Sequence, residues 1–195
     1  MKKILLLSLL SLCLKYGQAQ QAAYTFPLPK GWASEKINFP IDFAPKIPFT
    51  GIEELRFTPG WGKSTTNQYW AYAFLWFVDG DQKLKKDDLE SYLTQYFDGL
   101  YLSNLKNKTG APANFTQAKV KKMKAQVNDQ QTFEAGINTL DFLSGKTISF
   151  YARVHVRNYK TGHTAVLFEI SPQDYKNVVW DELDGVVNGF SPPTH

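Results

Sequence analysis

A ten-residue run from Tyr69 to Val78 contains only apolar and aromatic side chains, and it constrains the fold more than any other segment. Successive side chains of a strand point to opposite faces of its sheet, so this run presents an apolar row on each face. Such a strand belongs in the interior of a sheet that is covered on both sides. We therefore predict a layered domain in which Trp76 is fully buried, with a turn at Asp79-Gly80-Asp81.

Two further segments repeat apolar residues at the spacing of an amphipathic helix. From Leu84 to Asn104 they recur every third or fourth position, and Asp87 with Glu90 resembles a capping box. A second helix is predicted to start at Ser171-Pro172, because serine is a favoured N-cap and proline a favoured first helical residue. Each helix is expected to pack its apolar stripe against the sheet.

Alternating apolar and polar residues predict several shorter strands. They are 36–43, which its proline makes an edge strand, 55–58, 118–127 with a bulge at Lys121-Lys122, and 133–140. Strand 118–127 is rich in lysine, which is typical of an edge strand protected from aggregation. Contact with an acidic polymer is the alternative explanation of these lysines.

A hairpin near the C-terminus can be aligned residue by residue. When Lys160-Thr161-Gly162 forms its loop, the apolar residues of strand 147–157 face those of strand 166–170. The same register places Arg153 opposite Glu169 on the other face. A shift by one residue would turn both faces the wrong way, so we predict this register.

The predicted order of elements is ββαββββα. It indicates an α+β domain, an antiparallel sheet of about six strands with two main helices packed on it. This order is similar to that of Mog1/PsbP-like domains. A cystatin-like sheet is the alternative, although its long helix should precede all the strands.

Several short aromatic motifs lie between residues 30 and 80. They are Gly31-Trp32, Phe39-Pro40, Phe43-Ala44-Pro45, Phe57-Thr58-Pro59-Gly60-Trp61 and Tyr69-Trp70-Ala71-Tyr72. Together they resemble a family of uncharacterised exported proteins of Gram-negative bacteria. The resemblance implies export but no known activity, so no functional residue is transferred from it.

The N-terminus has the composition of a secretory signal peptide. Two lysines precede an apolar run over residues 4–14, and small residues at 17 and 19 fit cleavage before Gln20. The run is too short to span a bilayer. A lipid anchor on Cys13 is the alternative, but Leu12 precedes this cysteine where lipoprotein processing prefers a small residue.

We expect four regions along the chain. They are the signal peptide 1–19, a Pro-rich extended strap 20–51, a single α+β domain 52–190 and a loose tail 191–195.

Removal of the signal peptide would change the charge of the protein. The 195-residue chain has 22 Lys and Arg against 18 Asp and Glu, but three of the lysines lie in the predicted signal, so the net charge of +4 falls to +1. A chain so close to neutral has no electrostatic basis for binding nucleic acid. Cys13 leaves with the signal, which excludes disulfides and thiolate chemistry in the mature protein.

One polar row on the hairpin is the candidate ligand site. Tyr151, Arg153, His155 and Arg157 point to the same face, opposite Glu169, where they could hold a small anionic or glycan ligand. A solvated sheet face with one ion pair is the alternative. If Arg153 pairs with Glu169, the hypothesis leaves Arg157 exposed and free to contact a ligand.

Trp61 is the second candidate, because a tryptophan between two glycines in a loop can form an exposed stacking platform. It can equally close one end of the core. The three histidines are not at ligand spacing and the aspartates around the turn at 79–81 do not fit an EF-hand, so we predict no metal and no cofactor.

These patterns predict a non-enzymatic exported binding or accessory domain of the bacterial envelope, periplasmic or secreted and not embedded in a membrane. Its partner is expected to be a small anionic or glycan ligand or another envelope protein, and not nucleic acid. One alternative is a secreted hydrolase whose carboxylates meet only in the fold, for example Glu53 or Glu54 with Asp79. A purely structural envelope component is the other.

Overall fold

The computed structural model describes residues 24–105 and 114–192. Its strands are β1 Ala33–Asn38, β2 Gly51–Phe57, β3 Tyr72–Asp79, β4 Gln117–Met123, β5 Gln131–Leu140, β6 Thr147–Tyr159 and β7 His163–Ser171. Helix α1 is Lys86–Asn104 and helix α2 is Val179–Asn188. The strands form one antiparallel sheet in the order β1-β2-β3-β7-β6-β5-β4. The α+β prediction is confirmed, with seven strands instead of about six.

Strand β3 lies between β2 and β7 and is buried on both faces. Phe74 and Trp76 pack into the core beneath α1, whereas Ala73 and Leu75 pack beneath α2, and all four side chains are 0% exposed. The burial predicted for Trp76 is therefore confirmed. Because α1 follows three strands, the order of elements disfavours the cystatin-like alternative.

Pairing within the sheet follows the sequence patterns closely. The β6–β7 hairpin has the predicted register, with Val154 opposite Phe168 and Arg153 opposite Glu169. The lysine-rich β4 is an outer strand of the sheet, as its lysines predicted. Its pairing with β5 is regular, with Lys121 opposite Glu134, so the predicted bulge is wrong. The apolar alternation breaks there because β4 ends at Met123.

The edge strand predicted at 36–43 begins three residues earlier and ends five residues earlier, since β1 covers Ala33–Asn38. The chain leaves the sheet at Phe39-Pro40, where proline has no N–H group to donate to a neighbouring strand. Beyond this point Ile41 is fully buried in the core next to α1. The alternation after residue 38 therefore reflects burial of a non-sheet segment.

Both predicted helix starts need correction. The Lys85 N–H donates to the Asp88 carboxylate, so the cap of α1 uses Asp88 and not the pair Asp87 and Glu90. Helix α2 begins at Val179 and not at Ser171. Ser171 ends β7, and its hydroxyl oxygen accepts a hydrogen bond from the Gln173 N–H in the turn that follows.

The Pro-rich segment before β1 packs on the α2 side of the sheet. Tyr24 and Phe26 belong to the core cluster of α2, and the Tyr24 hydroxyl donates to Glu54 at 2.7 Å. Thr25 forms an antiparallel bridge with Ser191, the first residue of the predicted tail. Residues 1–23, which include the predicted signal peptide, and residues 193–195 lie outside the described part of the chain.

Candidate ligand-binding pocket

A pocket of about 740 Å³ lies at the β1–β3 end of the sheet, on the face that carries α1. Its aromatic lining comes from five separate segments of the chain: Phe43, Phe57 with Trp61, Trp70 with Tyr72, Tyr96, and Phe142. Pockets of about 300–1,000 Å³ with a mainly apolar lining and a few polar groups are typical of small-molecule sites. The pocket has the size and chemistry of such a site.

The direction of α1 creates this space. The helix packs along β4 and β5 at the other end of the sheet, and it makes no comparable contact with β1 or β2. Alternation along the strands places Glu35, Leu55 and Tyr72 on the uncovered part of the same face. Tyr96 and Leu100, one helical turn apart, form the opposite wall.

Trp61 forms part of the pocket wall and is half-buried. Its ring packs edge-on against Phe57 and Trp70, with ring centroids 5.0 and 5.1 Å apart. It therefore packs on the end of the core and also lines the cavity, whereas its role as a stacking platform for a ligand stays a prediction.

Asp141 fixes the position of the loop that carries Phe142, a residue of the pocket wall. Its carboxylate accepts hydrogen bonds from the Tyr69 hydroxyl at 2.5 Å and the Trp70 indole at 2.9 Å. The Leu143 N–H and the Ser144 hydroxyl complete the set at 2.8 and 2.5 Å. Because Asp141 ties the loop after β5 to the segment before β3, Phe142 is fixed against Trp70.

Two polar atoms that belong to pocket-lining residues are themselves inaccessible and have no hydrogen-bond partner among residues 24–105 and 114–192. They are the indole nitrogen of Trp61 and the hydroxyl of Tyr72. Burial, together with the nearby Glu53, raises the pKa of Tyr72 well above its usual value, so this phenol keeps its proton. Both groups are therefore hydrogen-bond donors that the protein leaves unused.

Glu53 is a fully buried carboxyl group on the α1 face of β2, beside the pocket. One of its oxygens accepts a hydrogen bond from the Trp76 indole at 3.1 Å, and the other meets no donor in the described part of the chain. Burial raises the pKa of Glu53 to about 7, although the nearby donors of Trp76 and Tyr96 oppose the shift. Within residues 24–105 and 114–192, Glu53 forms no ion pair with a lysine, arginine or histidine side chain.

The polar row predicted on the hairpin lies beside α2 and is largely buried. His155 is 1% exposed and Arg157 is 4% exposed, whereas Tyr151 is 42% exposed. Arg153 makes two 3.0 Å hydrogen bonds to Asp184 of α2 and lies 3.6 Å from Glu169. Arg153 pairs with Glu169 as expected, but the alternative of a solvated sheet face is wrong, because His155 and Arg157 are buried.

The expectation that Arg157 is exposed and unpaired is wrong. Its Nε donates to Asp129 at 2.8 Å, and its guanidinium also donates to the carbonyl oxygen of Val187 at the end of α2. Asp129 lies in the turn between β4 and β5. The alternating pattern of the strands does not extend into this turn, so it gave no prediction for Asp129. Binding of an anionic or glycan ligand at this face stays a prediction, with Tyr151 as its most exposed member.

Asp129 is the centre of a buried ionic cluster. Its carboxylate also accepts a hydrogen bond from the Thr132 hydroxyl at 2.6 Å and pairs with His155 Nδ1 at 2.8 Å. The other ring nitrogen of His155 lies 3.9 Å from Glu169, an ion-pair distance that is too long for a hydrogen bond. Burial on its own would lower the pKa of His155, but Asp129 and Glu169 outweigh it and raise the pKa to about 9.

We expect the free energy of unfolding to fall as the pH rises from about 6.5 to about 9. The pKa of His155 is about 9 in the folded chain and 6.5 in the unfolded chain. The stabilisation is therefore complete below pH 6.5 and is lost as the pH passes 9. The loss is on the order of 3 kcal/mol, at about 1.4 kcal/mol for each pKa unit. Urea denaturation at a series of pH values measures it.

An NMR titration of the histidine ring protons provides the control. The His155 signal is identified by its absence in His155→Gln. A titration midpoint for that signal at or below its ordinary value of about 6.5 contradicts the prediction.

The carboxylates proposed for a hydrolase are not brought together. Glu53 faces α1, whereas Glu54 lies on the other face and pairs with Arg56 at 2.8 Å and with Lys36 at 3.3 Å. Asp79 ends β3 and accepts a hydrogen bond from the Thr50 hydroxyl. Leu75 is the residue of β3 opposite Glu54. Asp79 lies four positions beyond Leu75, so the backbone of Asp79 is about 13 Å along the strand from the position of Glu54.

Comparison with known proteins finds only distant similarity, at the level of structure. No family model and no curated protein matches the chain. Among solved structures, LpqN of Mycobacterium tuberculosis, described as involved in cell envelope biogenesis, is similar with 12% sequence identity and a TM-score of 0.35, over 87% of this chain and 83% of that chain. A likeness this distant carries no argument about function. The resemblances to Mog1/PsbP-like domains and to uncharacterised exported proteins stay predictions.

Two further properties concern residues 24–105 and 114–192 alone. No group of three or more histidine, cysteine, aspartate or glutamate side chains in these ranges is arranged to hold a metal ion. Neither helix within them is both long enough and apolar enough to cross a membrane.

Proposed function

We propose that this protein is an exported binding domain of the bacterial envelope whose ligand is a small, largely apolar molecule. The proposal rests on the aromatic pocket of about 740 Å³ between α1 and the β1–β3 end of the sheet. Export rests on the signal-peptide pattern of residues 1–19. An accessory role, in which the domain holds or presents its ligand without changing it, fits a pocket lined by aromatic rings.

The aromatic lining supports an apolar ligand in preference to a sugar or an anion. Apolar surface that leaves water contributes roughly 25 cal/mol for each Å² buried, and the walls of this pocket are mostly apolar. The lining residues within the described ranges include no lysine, arginine or histidine that would bind an anion. An anionic ligand on the Tyr151 face remains the second candidate and would use a separate surface.

We expect the protein to bind the neutral fluorescent probe N-phenyl-1-naphthylamine with enhanced emission. Leu100→Glu should weaken this binding about tenfold or more, because it places a charge on the apolar wall formed by α1. Leu28→Glu is the matched control, since Leu28 is exposed and does not line the pocket. Fluorescence titration, with circular dichroism to verify folding, measures both variants.

Absence of probe binding by the unmodified protein would overturn the proposal. Equal binding by folded Leu100→Glu and by Leu28→Glu would also overturn it, because the probe would then bind outside the pocket. A purely structural envelope component is expected to give the first of these results.

A further inference from the structure

Three of the aromatic rings that line the pocket keep accessible surface. Phe43, Phe57 and Trp61 are only partly buried, whereas the other lining rings, such as those of Tyr72 and Tyr96, are almost completely buried. The rings of Phe57 and Trp61 pack edge to face, with their centroids 5.0 Å apart. The face of an aromatic ring carries negative charge density and attracts cations. A molecule in the pocket can therefore contact ring faces that favour positive charge.

Strands β1 and β2 separate their charged residues onto the two faces of the sheet. On the α2 side, Glu54 pairs with Lys36 at 3.3 Å and with Arg56 at 2.8 Å. On the α1 side, which carries the pocket, alternation along the two strands places Glu35 and Glu53 and no basic residue. The pocket side of these strands is therefore acidic.

Glu35 is the charged group that a bound molecule can reach. It is exposed, it is the one charged residue of the lining in the described part of the chain, and no basic side chain there forms an ion pair with it. Lys63, in the loop that follows the wall, is exposed and does not line the pocket. Glu35 is directly opposite Leu55, so Phe57 is its diagonal neighbour, about 7–8 Å away and within reach of a long side chain.

We propose that the pocket binds an apolar molecule with a cationic head, such as an ammonium group, and that Glu35 holds this head against the rings of Phe57 and Trp61. The apolar body of the molecule then packs against Leu100 on the opposite wall. This inference rests on the proposed function and names the class of ligand for the same pocket. A cation is attracted by the ring faces and by the carboxylate together, whereas an anion is repelled by both.

Three naphthalene compounds test the preference by displacement of N-phenyl-1-naphthylamine at pH 8 and low salt. They are the cation (2-naphthylmethyl)trimethylammonium, its neutral isostere 2-neopentylnaphthalene and the anion 2-naphthoate. We expect the cation to bind about tenfold more tightly than the neutral isostere, and the anion to bind most weakly. Low salt is needed because ions screen the attraction to an exposed carboxylate such as Glu35.

The variant Glu35→Gln tests the role of the carboxylate. It keeps the shape of the side chain and removes the charge, so the cation should bind about fivefold more weakly while the neutral isostere binds unchanged. Asp181→Asn is the matched control and should change neither affinity. It removes the same charge from an exposed residue of α2, which packs on the other side of the sheet.

Two variants test the role of the rings. Phe57→Leu and Trp61→Leu keep apolar side chains but remove the ring faces, so at least one of them should lower the preference for the cation over the neutral isostere about fivefold. The ratio of the two affinities within each variant corrects for any general loss of binding. Circular dichroism verifies that each variant is folded.

The outcomes separate this inference from the proposed function. If neither the probe nor any of the three compounds binds, the proposed function fails and this inference fails with it. If the probe binds but the cation binds no more tightly than the neutral isostere, or if no compound displaces the probe, the proposed function survives and the cationic head is wrong. An unchanged preference for the cation in Glu35→Gln also overturns the inference, because the cation would then not contact Glu35.

Discussion

Replacement of Trp76 by alanine is expected to lower the free energy of unfolding by about 3–5 kcal/mol. Trp76 is fully buried, and its ring lies 4.7 Å from that of Phe168 and 5.8 Å from that of Phe39, measured between centroids. Strand β3 is held by β2 on one side and β7 on the other, so the backbone cannot move inward to fill the cavity. Urea denaturation measures the loss.

Trp76→Phe separates packing from hydrogen bonding. It keeps an aromatic ring but removes the N–H group that donates to Glu53, so the expected loss is smaller, on the order of 1–2 kcal/mol. Tyr151→Ala removes an exposed aromatic ring and serves as the surface control. A loss below about 1 kcal/mol for Trp76→Ala would mean that β3 does not lie at the centre of a packed core.

The sheet could be predicted because the burial of each strand face determines the pattern of apolar residues along that strand. Ala73 and Phe74 are both buried on opposite faces of β3, and the uninterrupted apolar run reports this directly. The β6–β7 register follows from two alternating strands joined by a short loop, where a slip would expose one apolar face. Such patterns depend on neighbours in sequence, and these are the features that the structure confirms.

Element boundaries were less predictable because they depend on tertiary contacts. Ser171-Pro172 has the composition of a helix start, but Ser171 pairs with Tyr151 at the end of the sheet. The segment after Pro172 forms turns that bring Tyr175 over Arg153 before α2 begins. A local propensity is a weak preference, and the pairing of β7 with β6 overrides it here.

The pocket could not be predicted from sequence because no single segment contains it. Glu35 is a charged residue of an edge strand, and only the order of strands brings it to the face of Tyr72 and Tyr96. Trp61 was recognised from its flanking glycines. The direction in which α1 crosses the sheet, which leaves the β1–β3 end open, has no local signature.

For the polar row on β6, the sequence predicted which residues share a face but not whether that face is exposed. Alternation correctly placed Arg153, His155 and Arg157 on one face, but it could not indicate what covers that face. Asp129 comes from a turn after β4, and the Val187 carbonyl comes from α2. Polar residues in an alternating strand are usually solvated, so a buried ionic cluster is visible only once distant segments meet.

Loss of the Asp129 carboxylate should be as costly as loss of Trp76. Asp129→Ala removes the partner of two buried cationic side chains, Arg157 and His155, and the hydrogen bond from Thr132. Removing one member of a buried ion pair typically costs about 3–5 kcal/mol, because the remaining charge is left without water or a counter-ion. Urea denaturation at pH 6, where His155 is protonated, should show the full loss.

Two further variants identify the cause of that loss. Asp129→Asn keeps the shape and removes the charge, so it should retain part of the stability, whereas Asp42→Ala, at an exposed aspartate, should change the free energy of unfolding by no more than about 0.5 kcal/mol. Arg157→Ala distinguishes a buried arginine from the exposed one expected from sequence, because it leaves Asp129 short of a donor and must be destabilising. A near-zero effect of both Asp129→Ala and Arg157→Ala would show that the cluster does not contribute to stability.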